Sequence, residues 1–179
     1  MNRTQWITRT AVILALAIIV QLLRLPQPVT GPVVNALILL AVILVGLWSA
    51  VLIGCLTPWI ALLMGIMPPM MLPLIFVIMA ANVVLALVFF GIIQRPREMA
   101  YNLSINARTA AGVLVAAAAK FLVFYAALHF LIKMLFPALA GPASVMFGII
   151  QLYTALGGGA LALLLGKYLS NYLSQTSQE

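Results

Sequence analysis

Apolar residues in this chain run in long, nearly uniform stretches, separated by short intervals rich in proline, glycine or charge. Neither the 3.6-residue stripe of a soluble amphipathic helix nor the strict alternation of a half-buried strand describes them. The pattern predicts six helical spans at about 8–25, 32–45, 50–64, 72–93, 109–135 and 142–169, each near the length a bilayer requires. Gly31-Pro32 and Gly141-Pro142 are read as openings of spans two and six, because proline suits a first helical turn. Residues 46–49 form a tight turn between spans two and three, and Pro58 is expected to kink span three. Span five is longer than a bilayer needs, which implies tilt or protrusion. The expected fold class is therefore an all-α integral membrane protein, a bundle of six transmembrane helices forming a single membrane domain over 1–179.

Composition agrees with that pattern. Of 179 residues, 66% are hydrophobic and 6% charged, which excludes an ordinary soluble enzyme and a disordered chain. Nine Lys+Arg against two Asp+Glu give a net charge of +7, but the cations punctuate apolar runs instead of forming a face for nucleic acid. They read as topology signals. With the N-terminus inside, Arg3, Arg9, Arg95, Arg97, Arg108 and Lys167 are cytoplasmic and only Arg24 and Lys133 are external, so both termini are expected in the cytoplasm. The run 11–23 resembles a signal peptide, but no small-x-small cleavage site follows it, so it is read as a retained helix.

Several chemistries lack their residues. There is no P-loop motif, no His-Glu-x-x-His, no aspartate and one histidine, so neither nucleotide hydrolysis, a metal site, a bound cofactor nor a Ser-His-Asp hydrolase is expected. Both carboxylates, Glu98 and Glu179, lie outside the spans; a proton relay is thereby weakened and a cationic substrate is left without a counter-charge.

The polar residues inside the spans are the candidate site. Lys120, near the middle of span five, is either a ligand for an anion or carbonyl group, or a side chain snorkelling to the cytoplasmic interface near Thr109. Phe121, Tyr125, His129 and Lys133 form an i, i+4 stripe that reads as ligand-contacting or as an interfacial belt. Lys120 points about 140° away from Tyr125 and need not share its pocket. Asn82 and Gln151 are open between a binding site and interhelical glue, whereas Asn35 and Thr154 read as glue. Arg24 either folds over a pocket or meets lipid headgroups. Spans two, four and six start at the outer face, so their positive dipole ends and Arg24, His129 and Lys133 favour a neutral or anionic ligand there. Small residues mark close helix contacts: Ala11 and Ala15, extended by Ala17, on span one, and Gly157-Gly158-Gly159 on span six.

These features resemble the substrate-binding S components of energy-coupling factor (ECF) transporters. The resemblance rests on the six-span layout, on Thr10-Ala11-Val12-Ile13-Leu14-Ala15, on Thr30-Gly31-Pro32-Val33-Val34-Asn35-Ala36, and on Gly54-Cys55-Leu56-Thr57-Pro58. It implies a prokaryotic cell-membrane subunit, not an enzyme, that binds a vitamin or related micronutrient from outside. It implies docking through Ala11 and Ala15 on a transmembrane T component, with two cytoplasmic ABC ATPases supplying energy. Asn82, Lys120, Tyr125, His129 and Gln151 are the expected ligand contacts, with Arg24 and Lys133 at the mouth. A self-sufficient secondary transporter or channel, a lipid-modifying enzyme and a membrane adaptor are the rival readings.

Overall fold

The computed structural model describes residues 2–93 and 105–176; Arg95, Arg97, Glu98 and Glu179 lie outside them. Every regular element among the described residues is helical. The helices are α1 (Arg3–Leu22), α2 (Gln27–Leu44), α3 (Leu47–Leu63), α4 (Leu72–Ile93), α5 (Ala107–Ala126), α6 (Pro137–Phe147) and α7 (Ile149–Thr176). A π-helical stretch, Ala127–Ile132, and a last α turn, Lys133–Leu135, prolong α5. Five segments are long and apolar enough to cross a bilayer: Arg3–Leu22, Gln27–Leu44, Pro69–Ile93, Ala107–Leu135 and Ile149–Leu169. By length and composition this is a multi-pass membrane protein. The predicted third span falls on α3, which at 17 residues is shorter than the other five.

Local chemistry sets the helix ends. Asn2 caps α1 by accepting from Gln5 N at 2.9 Å, and Asn106 caps α5 by accepting from Thr109 N at 3.0 Å. This second cap starts α5 two residues before the predicted Thr109. Gly46, at φ +125°, needs a glycine's freedom to turn α2 into α3 across only Val45 and Gly46. Gly31-Pro32 does not open α2. Pro26 is the N-cap, Pro28 occupies the first turn, and Pro32 lies inside the helix. Span six is likewise not one helix from 142: Gly148 adopts ψ −127° and divides α6 from a 28-residue α7.

α2 is the axis of the bundle. It packs on α1, α3, α4 and most extensively on α7, and it is the most buried of the five long segments, while α1 is the least. Lipid offers no hydrophobic drive for helix pairing, so close backbone approach has to supply it through dispersion contacts. Gly158 meets that need. A Cβ there would lie 2.6 Å from Pro32 O and 2.9 Å from Ala36 N, both backbone atoms that cannot swing aside. The glycine triplet thus lets α7 rest directly on α2 within one continuous helix. Ala17 is fully buried, whereas Ala11 and Ala15 are exposed, so Ala17 packs inward and does not extend their surface.

The apolar interior forms two clusters. One joins Ile13, Ala36, Ile38, Ile43, Ile53, Leu85, Phe89, Val113, Ala117, Ala155 and Leu163; the other joins Met67, Met71, Leu74, Ile75, Val77, Ala81, Phe124, Leu128, Ile132 and Phe147. On α4 and α5 the boundary between them falls at Asn82 and Lys120.

Arginines brace the bundle at both ends by donating to helix C-terminal carbonyls, where the dipole is negative. At the end holding the start of α1, Arg9 Nη1 donates to Leu44 O at 3.4 Å and Arg108 Nε to Ile92 O at 2.8 Å. At the opposite end Arg24 Nη2 donates to Met64 O at 3.3 Å.

Gly158→Ala is expected to lower stability in detergent by about 1–3 kcal/mol, the usual effect of overpacking. Gly91→Ala, at a position with no atom within 4 Å of the added Cβ, is expected to stay within about 0.5 kcal/mol of the parent. Thermal or denaturant unfolding measures both.

Candidate functional site

Each of the six long helices contributes a buried polar residue to one layer: Gln21 from α1, Asn35 from α2, Thr57 from α3, Asn82 from α4, Lys120 from α5 and Gln151 from α7. All six line a cavity of about 120 Å³. Its apolar walls come from residues such as Val34, Ile66, Met67, Ile78 and Phe147, and it lies at the bundle end where α2, α4 and α7 begin. Phe147 is held by stacking on Phe124, with ring centroids 5.6 Å apart.

The arrangement starts from a proline. Pro58 has no N–H, so the carbonyl of Gly54, four residues earlier, loses its helical partner. Asn82 Nδ2 donates to that carbonyl at 2.9 Å. A Cβ on Gly54 would sit 3.0 Å from Asn82 Cβ, so glycine is what admits Asn82 so close to α3. With the amide nitrogen spent on α3, Asn82 Oδ1 faces the other way and accepts from Lys120 Nζ at 2.7 Å. A parallel chain runs from α7. Thr154 Oγ1 donates to Gln151 O at 3.2 Å, Asn35 Nδ2 donates to Thr154 Oγ1 at 3.4 Å, and Asn35 Oδ1 accepts from Lys120 Nζ at 2.6 Å.

Lys120 is 3% exposed, so its stem does not snorkel to the interface. An ammonium has three donors. Two go to the asparagines, and the third has no acceptor among the described residues. Neither asparagine carries charge, and no carboxylate side chain belongs to the described residues. When protonated, Lys120 presents the cavity with one positive charge and a hydrogen bond to give. The side-chain amide of Gln151 makes no hydrogen bond among the described residues and lines the same space. The chemistry on offer is capture of a group with negative or carbonyl oxygen, not bond making.

The structure brings Asn82, Lys120 and Gln151 together and leaves the remaining expected contacts outside the cavity lining. Tyr125 is 49% exposed, and His129 and Lys133 are exposed on the same side of α5. Tyr125 and His129 stack with centroids 4.1 Å apart, and His129 Nδ1 lies 3.0 Å from Tyr125 O. The cause is helical phase: five residues carry Tyr125 about 140° around from Lys120. Arg24 is exposed at φ +50° and ties the α1–α2 connection to the end of α3. Asn35 holds the lysine directly, beyond the glue role read from sequence. Gln21 and Thr57 were legible as the amide in span one and the hydroxyl before Pro58, but only packing aims them at the same space.

Removing one partner of a buried charge costs more than removing the charge itself. Asn35→Leu is therefore expected to destabilise the ligand-free protein by about 2–3 kcal/mol. Lys120→Met is expected to be neutral or stabilising, and the double variant to recover most of the loss. A double-mutant cycle of unfolding free energies decides this; equal losses for all three would contradict it.

Comparison of the chain with protein-family models, curated proteins and solved structures finds no match, so the reading of this site rests on its geometry.

Proposed function

We propose that the chain is the S component of an ECF transporter, a six-span membrane receptor that binds a neutral or anionic vitamin or related micronutrient. The observation that carries this reading is the buried Lys120 amino group, held by two neutral amide oxygens, in a cavity with no carboxylate among its lining residues. A cation would meet uncompensated repulsion there; a carboxylate or polarised carbonyl would meet its complement.

Topology supports uptake from outside. Arg3, Arg9, Arg108 and Lys167 fall at the end of the bundle away from the cavity, which by the positive-inside rule supports cytoplasmic termini and a cavity in the outer half. In this reading α3 is the sixth span, its 17 residues covering about 26 Å, met by local thinning of the bilayer. Two of the three segments quoted for the resemblance also converge: Thr30, Gly31, Val34 and Asn35 from one, Thr57 and Pro58 from the other, all line the cavity. The outward-facing Ala11 and Ala15 on the least buried long helix leave a smooth surface for a T component, with two ABC ATPases beneath it.

Native mass spectrometry of protein purified from its host identifies the retained metabolite, and titration calorimetry in nanodiscs then gives its affinity. Lys120→Met is expected to weaken binding by about 100-fold or more and Gln151→Ala by about tenfold, typical of a lost charged and a lost neutral hydrogen bond. His129→Ala is expected to stay within about twofold, since it lies outside the cavity. Accumulation of the metabolite against a gradient by vesicles holding this chain alone would overturn the proposal.

A further inference from the structure

The wall formed by α1 and α3 carries two polar atoms without partners. Gln21, 6% exposed, spends Nε2 on Thr57 O at 3.2 Å, which leaves its Oε1 unpaired; Thr57, 2% exposed, leaves Oγ1 unpaired. Among the described residues they are the two side-chain polar atoms wholly shut off from solvent that lack a hydrogen bond. Both residues line the cavity that holds Lys120. Buried polar groups in folded proteins are almost always paired, so two such atoms on one cavity wall mark a place where something else completes them.

Their chemistry is selective. Gln21 Oε1 can only accept a hydrogen bond, whereas Thr57 Oγ1 can donate or accept. A ligand hydroxyl seated between them would satisfy both, donating to Gln21 Oε1 and accepting from the Thr57 hydroxyl. A ketone or ether leaves Gln21 unpaired, and a methyl leaves both. At the Lys120 wall the single positive charge balances one negative charge. A dianionic phosphate would bring excess charge into a cavity whose lining holds no cation besides Lys120 and whose apolar walls are Val34, Ile66, Met67, Ile78 and Phe147. We propose that the cavity selects a hydroxylated monocarboxylate: the carboxylate on Lys120, an apolar body across the cavity, and a hydroxyl between Gln21 and Thr57. This rests on the receptor reading above and narrows its ligand class.

The test uses the full chain in nanodiscs and calorimetric titration with ω-hydroxy acids of four, five and six carbons beside the plain acids of equal length. At the best-fitting length the hydroxy acid is expected to bind about tenfold more tightly, the worth of one good hydrogen bond. Thr57→Val, which removes only the hydroxyl, is expected to keep the melting temperature and reduce that preference to about threefold or less. Gln21→Leu is expected to abolish it. Equal binding of plain and hydroxy acids at every length, each lost in Lys120→Met, would overturn this inference and leave the receptor reading standing. Binding that survives Lys120→Met, or no binding by any of the six probes, would count against both.

Discussion

A positive charge sealed inside a hydrophobic bundle needs acceptors, and the Lys120 ammonium sets that condition for the middle of this protein. Its carbonyl acceptors come from α2 and α4, so those helices are tied to α5 at one depth. Each asparagine is oriented in turn by a donor obligation elsewhere, to the Gly54 carbonyl or to Thr154. The lysine therefore reports on the placement of α2, α3, α4, α5 and α7 together. Such a residue adds little net stability, because desolvation offsets most of what its hydrogen bonds return. In the proposed receptor its presence is explained by what it would offer a ligand.

The same network shows how a proline becomes a site. Pro58 removes a helical hydrogen bond, and a bilayer provides no water to repair the orphaned carbonyl. Asn82 repairs it, and the repair leaves its oxygen turned towards the lysine. Glycines make the repair geometrically possible, at Gly54 for Asn82 and at Gly158 for the backbone of α2. The polar layer then divides two apolar clusters that hold the bundle on either side of it. The rigid parts are thus apolar and close-packed, and the residues with unpaired side-chain polar atoms, Gln21, Thr57 and Gln151, line the cavity.

Charge is distributed with a second purpose besides topology. Arg9, Arg24 and Arg108 each reach the terminal carbonyl region of a neighbouring helix, so residues read from the sequence as topology signals also close the exposed ends of α2, α3 and α4. Arg24 does this at the cavity end, where it joins the two connections nearest the site.

Helical class and membrane character were legible in the chain itself, because long apolar runs and scarce charge leave a polypeptide no other way to satisfy its backbone in lipid. The C-terminal limits of the first five spans were legible to within three residues, but α1 and α2 each start five residues ahead of the expected position, and the break at Gly148 was not legible, since a glycine in an apolar run fits a continuous helix equally well. Asn82, Lys120 and Gln151 stood out as costly polar groups in apolar surroundings. Which of the polar residues meet was decided only by tertiary packing. The i, i+4 stripe from Phe121 to Lys133 is a property of one helix, and it turns away from the cavity because α5 is rotated to bury Lys120. Gln21, Asn35 and Thr57 belong to three different helices, and their shared destination depends on how closely the glycines let those helices approach, a distance no single segment encodes.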